Sequence, residues 1–438
     1  MNAHAVAARP VWTRPEIAAW ARRPSWPVAA TVLCVGVPAG GAGAGDGVQV
    51  TIGDVASAGL VLLAVFLAVT RRVEVPRAAP LAFGPLVVGL GVSTVCSSDI
   101  GTSLPGYARG LQIFVLVPLA VVLLVRDRRD LGIVCASVLL LGLGEAAYGI
   151  WQSTSGNGAT IDGRAIRAVG TFGAVDVMAL SVVAGFAVLI LTAFALHAPR
   201  HGPVAVVAAL GGLGVLAVAL AGALSRGTWL ALGAAAVLML VVYDRWVAVR
   251  TLACCAALLL VVVAGLGGGA QAVVARSRSI ASAVTSSPDQ SVSDRYLLWG
   301  AAERIWEDHP LTGVGVKNFP AYRDTYATIE LSSGSETQDP VNGYVRQPLL
   351  SPHNEYLLIL SEQGVAGFAG FAALVAVILG GLWTRRRVRD PFWLIGAGTM
   401  AFLLTNFLYA DLGGPTCVLT AILLGAVTAR ALGLDPEP

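Results

Sequence analysis

Apolar stretches long enough to cross a hydrocarbon core of about 30 Å recur along nearly the whole chain, about twelve in number. They centre on residues 27–45, 48–69, 78–96, 108–125, 131–151, 174–196, 203–223, 228–243, 251–268, 364–383, 391–410 and 414–432. The fold class that follows is an all-α polytopic membrane protein of about twelve transmembrane helices. Composition agrees, because 438 residues at 56% hydrophobic, 13% charged and a mean hydropathy of +0.75 exclude a water-soluble domain. The net charge of +3 gives no sign of nucleic-acid binding. Arg9, Arg14, Arg22 and Arg23 precede a first apolar stretch that reads as a retained anchor rather than a cleaved signal.

Basic residues in the short connections set the expected orientation. Arg71, Arg72 and Arg77, then Arg126, Arg128 and Arg129, Arg200, Arg245 and Arg250, and Arg385, Arg386, Arg387 and Arg389 fall in every second connection. Those connections and both termini are therefore expected on the cytoplasmic side. The outer side then receives 97–107, 152–173, 224–228 and 411–413, with one long segment from about 269 to 352. The chain thus divides into an N-terminal bundle (1–268, about nine helices), an extracytoplasmic loop subdomain (269–352) and C-terminal helices (353–438, about three). Cys34, Cys96, Cys135, Cys254, Cys255 and Cys417 all lie in or beside apolar spans, so they form neither a disulfide framework nor a metal site.

The long segment has its own order. Ser291 or Ser293 is placed to cap a helix carrying Tyr296, Leu297, Leu298, Trp299, Ile305 and Trp306, which Pro310 ends. The polar stretch SSGSETQDPVNGYVRQP that follows has loop composition. Trp299, Trp306, Tyr322 and Tyr326 could line a sugar-binding surface, but packing within the subdomain is the expected role.

SPHNEYLLILSEQG at 351–364 opens the next helix. Ser351 reads as its N-cap, Pro352 as its first residue, and His353 and Asn354 as its first turn. Residues 353–383 would make a helix of about 46 Å, so either the first turns lie at the interface or the helix breaks near Gly364. His353 and Glu362 are nine residues apart, on opposite helix faces, and do not form an acid–base pair. His353 needs partners from elsewhere. Arg226 in SRGTW, Arg164 and Arg167 in DGRAIRAVGTFG, and Arg295 share its side of the membrane. Guanidinium groups grip phosphate oxygens bidentately, so such a set suits a lipid-linked phosphate or diphosphate. Against this stand plainer roles: a polar cap for His353, and snorkelling to headgroups for the arginines. Glu145, inside the fifth span, is equally suited to a functional role or to facing a neighbouring helix.

HNEYLLILSEQGVAG resembles the H-N-x-Y-L-x-x-L-x-E-x-G-x-x-G signature of the O-antigen ligase and O-antigen polymerase superfamily. The resemblance extends to SRGTW, to DRYLLWGAAERIWEDHPLTGVG and to RAVGTFG, in the family's order over residues 164–383. One departure is that GAVDV follows G-T-F where many relatives carry an N-P-N-like turn, which leaves Val175 and Asp176 without an inherited role.

The resemblance implies a metal-independent glycosyltransferase of GT-C type, with no cofactor. Its donor would be a glycan on a polyprenyl diphosphate, and its acceptor a hydroxyl of a glycan, lipid or protein on the outer face of the cytoplasmic membrane. His353 matches the family's general base, Arg226 and Arg295 its essential arginines, and Arg167 a further one. Ligase and polymerase differ only in acceptor and stay open. The rival reading is a transporter or flippase, but transporters hold substrate near the midplane of repeated halves. Here the halves show no repeat and the polar residues gather at one face.

Overall fold

The computed structural model describes residues 22–38, 50–70, 72–161, 164–173, 176–265, 290–334, 336–339, 343–346, 350–386 and 390–433. Arg9, Arg14, Arg71, Val175, Arg387, Arg389 and the stretch 269–289 lie outside them. Helices dominate: α1 (Ser25–Val35), α2 (Ile52–Val69), α3 (Ala79–Val95), α4 (Ile100–Leu124, with a π-helical turn at Gln112–Leu116), α5 (Arg128–Ser155), α6 (Ala179–His197), α7 (Pro203–Ala223), α8 (Arg226–Tyr243) and α9 (Arg245–Gly265). After these come α10 (Gln290–Asp308), α11 (Phe319–Tyr326), α12 (Ile329–Gly334), α13 (Glu355–Thr384), α14 (Pro391–Asn406) and α15 (Thr416–Leu432). Two short antiparallel hairpins interrupt them: β1 (Ala159–Ile161) with β2 (Arg164–Arg167), and β3 (Glu336–Asp339) with β4 (Gly343–Arg346).

Each expected span overlaps one helix, and the chain is an all-α polytopic membrane protein. Among the described residues, seven helices (α2, α4 to α8 and α13) are long and apolar enough to cross a membrane, and α1, α3 and α15 are shorter apolar helices. Helix α15 is buried along almost its whole length among α4, α13 and α14, so it needs neither the length nor the lipid-facing surface of an outer span.

Helix α13 decides the geometry of the site. It breaks at Gly364 (φ +61°, ψ −163°), the second of the two outcomes its length allowed. The break frees carbonyls and N–H groups that must find partners in an apolar medium. The loop after Pro310 supplies them: Val314 and Gly315 donate to the carbonyls of Ser361 (3.0 Å) and Glu362 (2.8 Å), while Val365 and Ala366 donate to those of Pro310 (2.8 Å) and Leu311 (3.0 Å). A Cβ at Gly364 would lie 2.5 Å from the Leu311 carbonyl, so only glycine fits this crossing. The D-H-P-L-x-G-x-G and E-x-G segments are thus two halves of one joint.

The same loop forms an anion-holding turn. Gly313, Gly315 and Lys317 all have left-handed φ (+65°, +100° and +67°), and the Lys317 and Phe319 N–H groups converge on the Glu362 carboxylate, the latter at 3.1 Å. Below the break, α13 lies against α3 at glycine contacts, where a Cβ at Gly89 would meet the Ala366 carbonyl at 2.6 Å. Leu298, Ala302, Ile305, Val314, Phe319 and Leu331 form a separate small core, with Tyr322, Tyr326 and Leu357 packed on it. The two tyrosines therefore serve packing.

Candidate active site

The helix after Ser351 starts later than its sequence suggests. Asn354, not Ser351, is the N-cap, accepting from the Leu357 N–H at 3.1 Å, and the helix begins at Glu355. His353 has φ +51°, a left-handed conformation that costs a non-glycine residue about 1 kcal/mol or more. Its N–H meets Ser351 Oγ at 3.3 Å, and the Pro352 carbonyl accepts from Trp299 Nε1 at 2.9 Å. Trp299 therefore anchors this turn rather than a sugar. The ring of His353 is lifted off the helix end and left 48% exposed.

Its partner comes from the loop between α14 and α15. His353 Nδ1 lies 3.3 Å from Asp411 Oδ1. A carboxylate can only accept, so Nδ1 carries the proton and Nε2 presents its lone pair outward. Burial pushes the Asp411 carboxyl up, but hydrogen bonds from His353 and Ser351 hold it below the usual carboxylate range. Glu355 fixes the same loop: its N–H donates to the Phe407 carbonyl at 2.9 Å and its carboxylate accepts from the Leu412 N–H at 2.8 Å.

Arg226 is the first residue of α8, so the connection expected at 224–228 is in fact a turn at Leu224 and Ser225. The next residue, Gly227, is packed on Tyr409, two positions before Asp411, with room for a Cβ only 3.2 Å from that of Tyr409. Arg295 is on α10, one helical turn before Trp299 and so on the face that holds Pro352. The loop 407–415 and the Pro352 turn thus bring His353, Arg226 and Arg295 to one end of the bundle.

Arg167 is placed differently. It ends β2 and donates twice to the Ala223 carbonyl, at 3.0 Å and 2.6 Å, capping the C-terminus of α7 just before Arg226. Arg164 begins β2, and its side chain lies outside the described residues. The RAVGTFG stretch is stapled to α5, since Gln152 accepts from the Val169 and Gly170 N–H groups and Glu145 accepts from Thr171 N and Oγ1 (2.9 Å and 2.7 Å). Glu145 therefore faces a neighbouring turn.

Residues 211–372 match the family model described as O-antigen ligase. That segment is similar to the O-antigen ligase family. The match supports the O-antigen ligase and polymerase superfamily that the motifs resemble, and it runs from α7 through the break in α13. Arg226, Arg295 and His353 lie within it, while Arg164, Arg167 and Asp411 do not. Comparison with curated proteins gave no match. Motif reading missed Asp411, whose loop FLYADLGGPT has no catalytic pattern; a carboxylate between two apolar helices is the only signal it offers.

Proposed function

We propose that this membrane glycosyltransferase moves a glycan from a polyprenyl diphosphate to an acceptor hydroxyl, with His353 as general base and Arg226 and Arg295 holding the diphosphate. The observation that carries the reading is the His353–Asp411 pair at the end of the bundle where these two arginines are brought. In the step envisaged, His353 Nε2 takes the acceptor proton as the acceptor oxygen bonds to the anomeric carbon, and the lipid diphosphate leaves with the electron pair of the broken C–O bond. Charge grows on the diphosphate oxygens. Guanidinium groups beside the N-terminus of α8 favour that charge, and they do so without a divalent ion. Arg167 acts by setting the α7–α8 turn, and Arg164 remains a candidate for the diphosphate from its position on β2. Attack opposite the leaving group inverts the anomeric centre. The acceptor, whether lipid, protein or another glycan, decides between ligase and polymerase.

The arginine bias of the opposite connections supports a site on the outer face of the cytoplasmic membrane. Single cysteines near Arg226 and His353, in a cysteine-free background, should react with an impermeant maleimide outside intact cells, whereas one near Arg128 should not. Purified protein in vesicles, given lipid-linked glycan extracted from a deletion strain, should transfer it covalently to that strain's envelope glycan fraction. Movement of the donor across the bilayer without a new covalent product would instead establish a transporter.

A further inference from the structure

The helix that carries Arg295 leaves one large aromatic side chain out of its packing. In α10, Leu298, Ala301, Ala302 and Ile305 are buried, and this face builds the small core with Phe319 and Leu331. At about 100° per residue Tyr296 lies on the opposite side of the helix, and it is 54% exposed. Its ring is nonetheless held. It meets Trp299 edge to face, with centroids 5.4 Å apart and planes at 86°, and Trp299 Nε1 donates to the Pro352 carbonyl at 2.9 Å. Two contacts therefore separate Tyr296 from Pro352, the residue bonded to His353, whose own ring is half exposed.

An edge-to-face contact covers at most one face of a ring, so Tyr296 keeps a face open while Trp299 fixes its direction. What such a face receives is decided by its surroundings. Glu303 and Glu307 follow Tyr296 along the same side of α10, and both are exposed. A hydrocarbon layer excludes carboxylates and anionic headgroups repel them, so this strip faces water rather than lipid. Sugar rings combine a flat C–H face with hydroxyl donors, and so match an aromatic ring set beside carboxylate acceptors. Tyrosine offers that contact area at low entropic cost, having only two side-chain torsions to fix.

Resting on the glycosyltransferase reading above, we infer that Tyr296 is a glycan-binding residue: a sugar ring of the donor or the acceptor stacks on its open face beside His353. Tyr296 holds the glycan and takes no part in proton transfer. Donor and acceptor are told apart by which of the two Michaelis constants responds.

The test uses full-length protein in lipid nanodiscs and two probes, the glycan released from its lipid carrier by mild acid and the envelope glycan fraction of a deletion strain. Each is titrated by calorimetry without turnover, and transfer from the intact lipid-linked glycan is measured separately. Tyr296→Ala should weaken binding of one probe about tenfold and raise the matching KM by a similar factor, while kcat changes several-fold less. Tyr296→Phe keeps the flat ring and should stay within about threefold of the parent. Tyr296→Leu keeps apolar bulk without a flat face and should lose nearly as much as Ala. The position is exposed, so accumulation and melting temperature of all three should stay near the parent's. Unchanged binding in Tyr296→Ala, or no binding of either probe by the parent, overturns the proposal. Full binding by Leu would mark a contact open to any apolar group, lipid included, and a loss in Phe equal to that in Ala would mark a hydroxyl hydrogen bond; either result also overturns stacking. Binding and transfer fail separately. Ring-dependent binding without any transfer product leaves Tyr296 a glycan site and removes the glycosyltransferase reading, whereas transfer with unchanged binding and KM in Tyr296→Ala removes only the role of Tyr296.

Discussion

Helices α5 and α8 both begin with an arginine, Arg128 and Arg226, at opposite ends of the bundle, and the two ends are built differently. At the start of α5, Asp127 caps the helix by accepting from the Arg129 and Asp130 N–H groups, and Asp130 adds a carboxylate to the first turn. Arg23 Nη1 binds both aspartates at 2.8 Å, while Arg128 and Arg430 share Asp390, the latter at 3.0 Å. Arg23, Arg128 and Arg430 there each meet an aspartate. The first turn of α8 holds no acidic residue, and Ser225 makes no side-chain cap, its hydroxyl meeting Thr228 Oγ1 at 2.9 Å instead. A cation at a helix N-terminus opposes the macrodipole, so this end is stabilised by an anion in a way the other is not. One end closes its charges to hold the bundle together. The other starts its arginine-led helix with no acidic residue in the first turn.

The largest expected effect falls on the proton acceptor. His353→Ala should lower turnover by about 10²–10⁴-fold while donor binding survives, measured by transfer rate and by donor titration of the same vesicles. His353→Gln keeps a hydrogen-bonding group but cannot take the proton, and should do little better. Substantial turnover with Gln would reduce the histidine to a positioning role.

Next in size is Arg226→Lys, which keeps the charge but loses the planar fork. Turnover should fall about 10²-fold with the protein still accumulating in the membrane. Near-normal turnover would remove Arg226 from diphosphate recognition and with it the contrast between the two helix starts.

Asp411→Asn should cost less, about tenfold, because His353 is half exposed and water can partly replace the lost partner. Stability gives a second readout. The Asp411 carboxyl is held below its usual range, so its contribution is complete above the unfolded-state value of about 3.9 and is lost as pH falls through the lower folded value. Thermal unfolding of the parent below pH 4 should therefore show a loss that the Asn variant lacks.

The helices and the site differ in how far the sequence discloses them. Apolar runs of span length disclose the helices, because lipid demands an apolar exterior over a fixed thickness whatever the packing inside. The break in α13 was visible as an excess of length and a glycine, but not its filling by the 310–315 loop, which joins segments some fifty residues apart in sequence. His353 was visible, yet its neighbours in the chain suggested a first-turn position that the Asn354 cap displaces. Asp411 stayed hidden for a physical reason. It is a lone carboxylate in a short turn, and it meets His353 only because the loop 407–415 folds back on the Pro352 turn, a contact that no local pattern encodes. Arg167 carried a motif, and the motif proved compatible with a capping role at Ala223.

The smallest effect is expected at the closed end, and it is the control on everything above. Arg128 is 54% exposed and shares Asp390 with Arg430, whose side chain is only 4% exposed. A pair so open to solvent is worth about 0–1 kcal/mol, and losing it leaves Asp390 still bound to Arg430 and still capping α14 through the Trp393 N–H. Arg128→Gln should therefore change turnover by less than about twofold and shift the melting temperature only slightly, since neither the cap nor the buried pair depends on it. Should Arg128→Gln abolish transfer in protein that accumulates and melts normally, an arginine with no route to the donor would matter as much as Arg226. The loss caused by Arg226→Lys could then no longer be assigned to the proposed recognition of the diphosphate by Arg226.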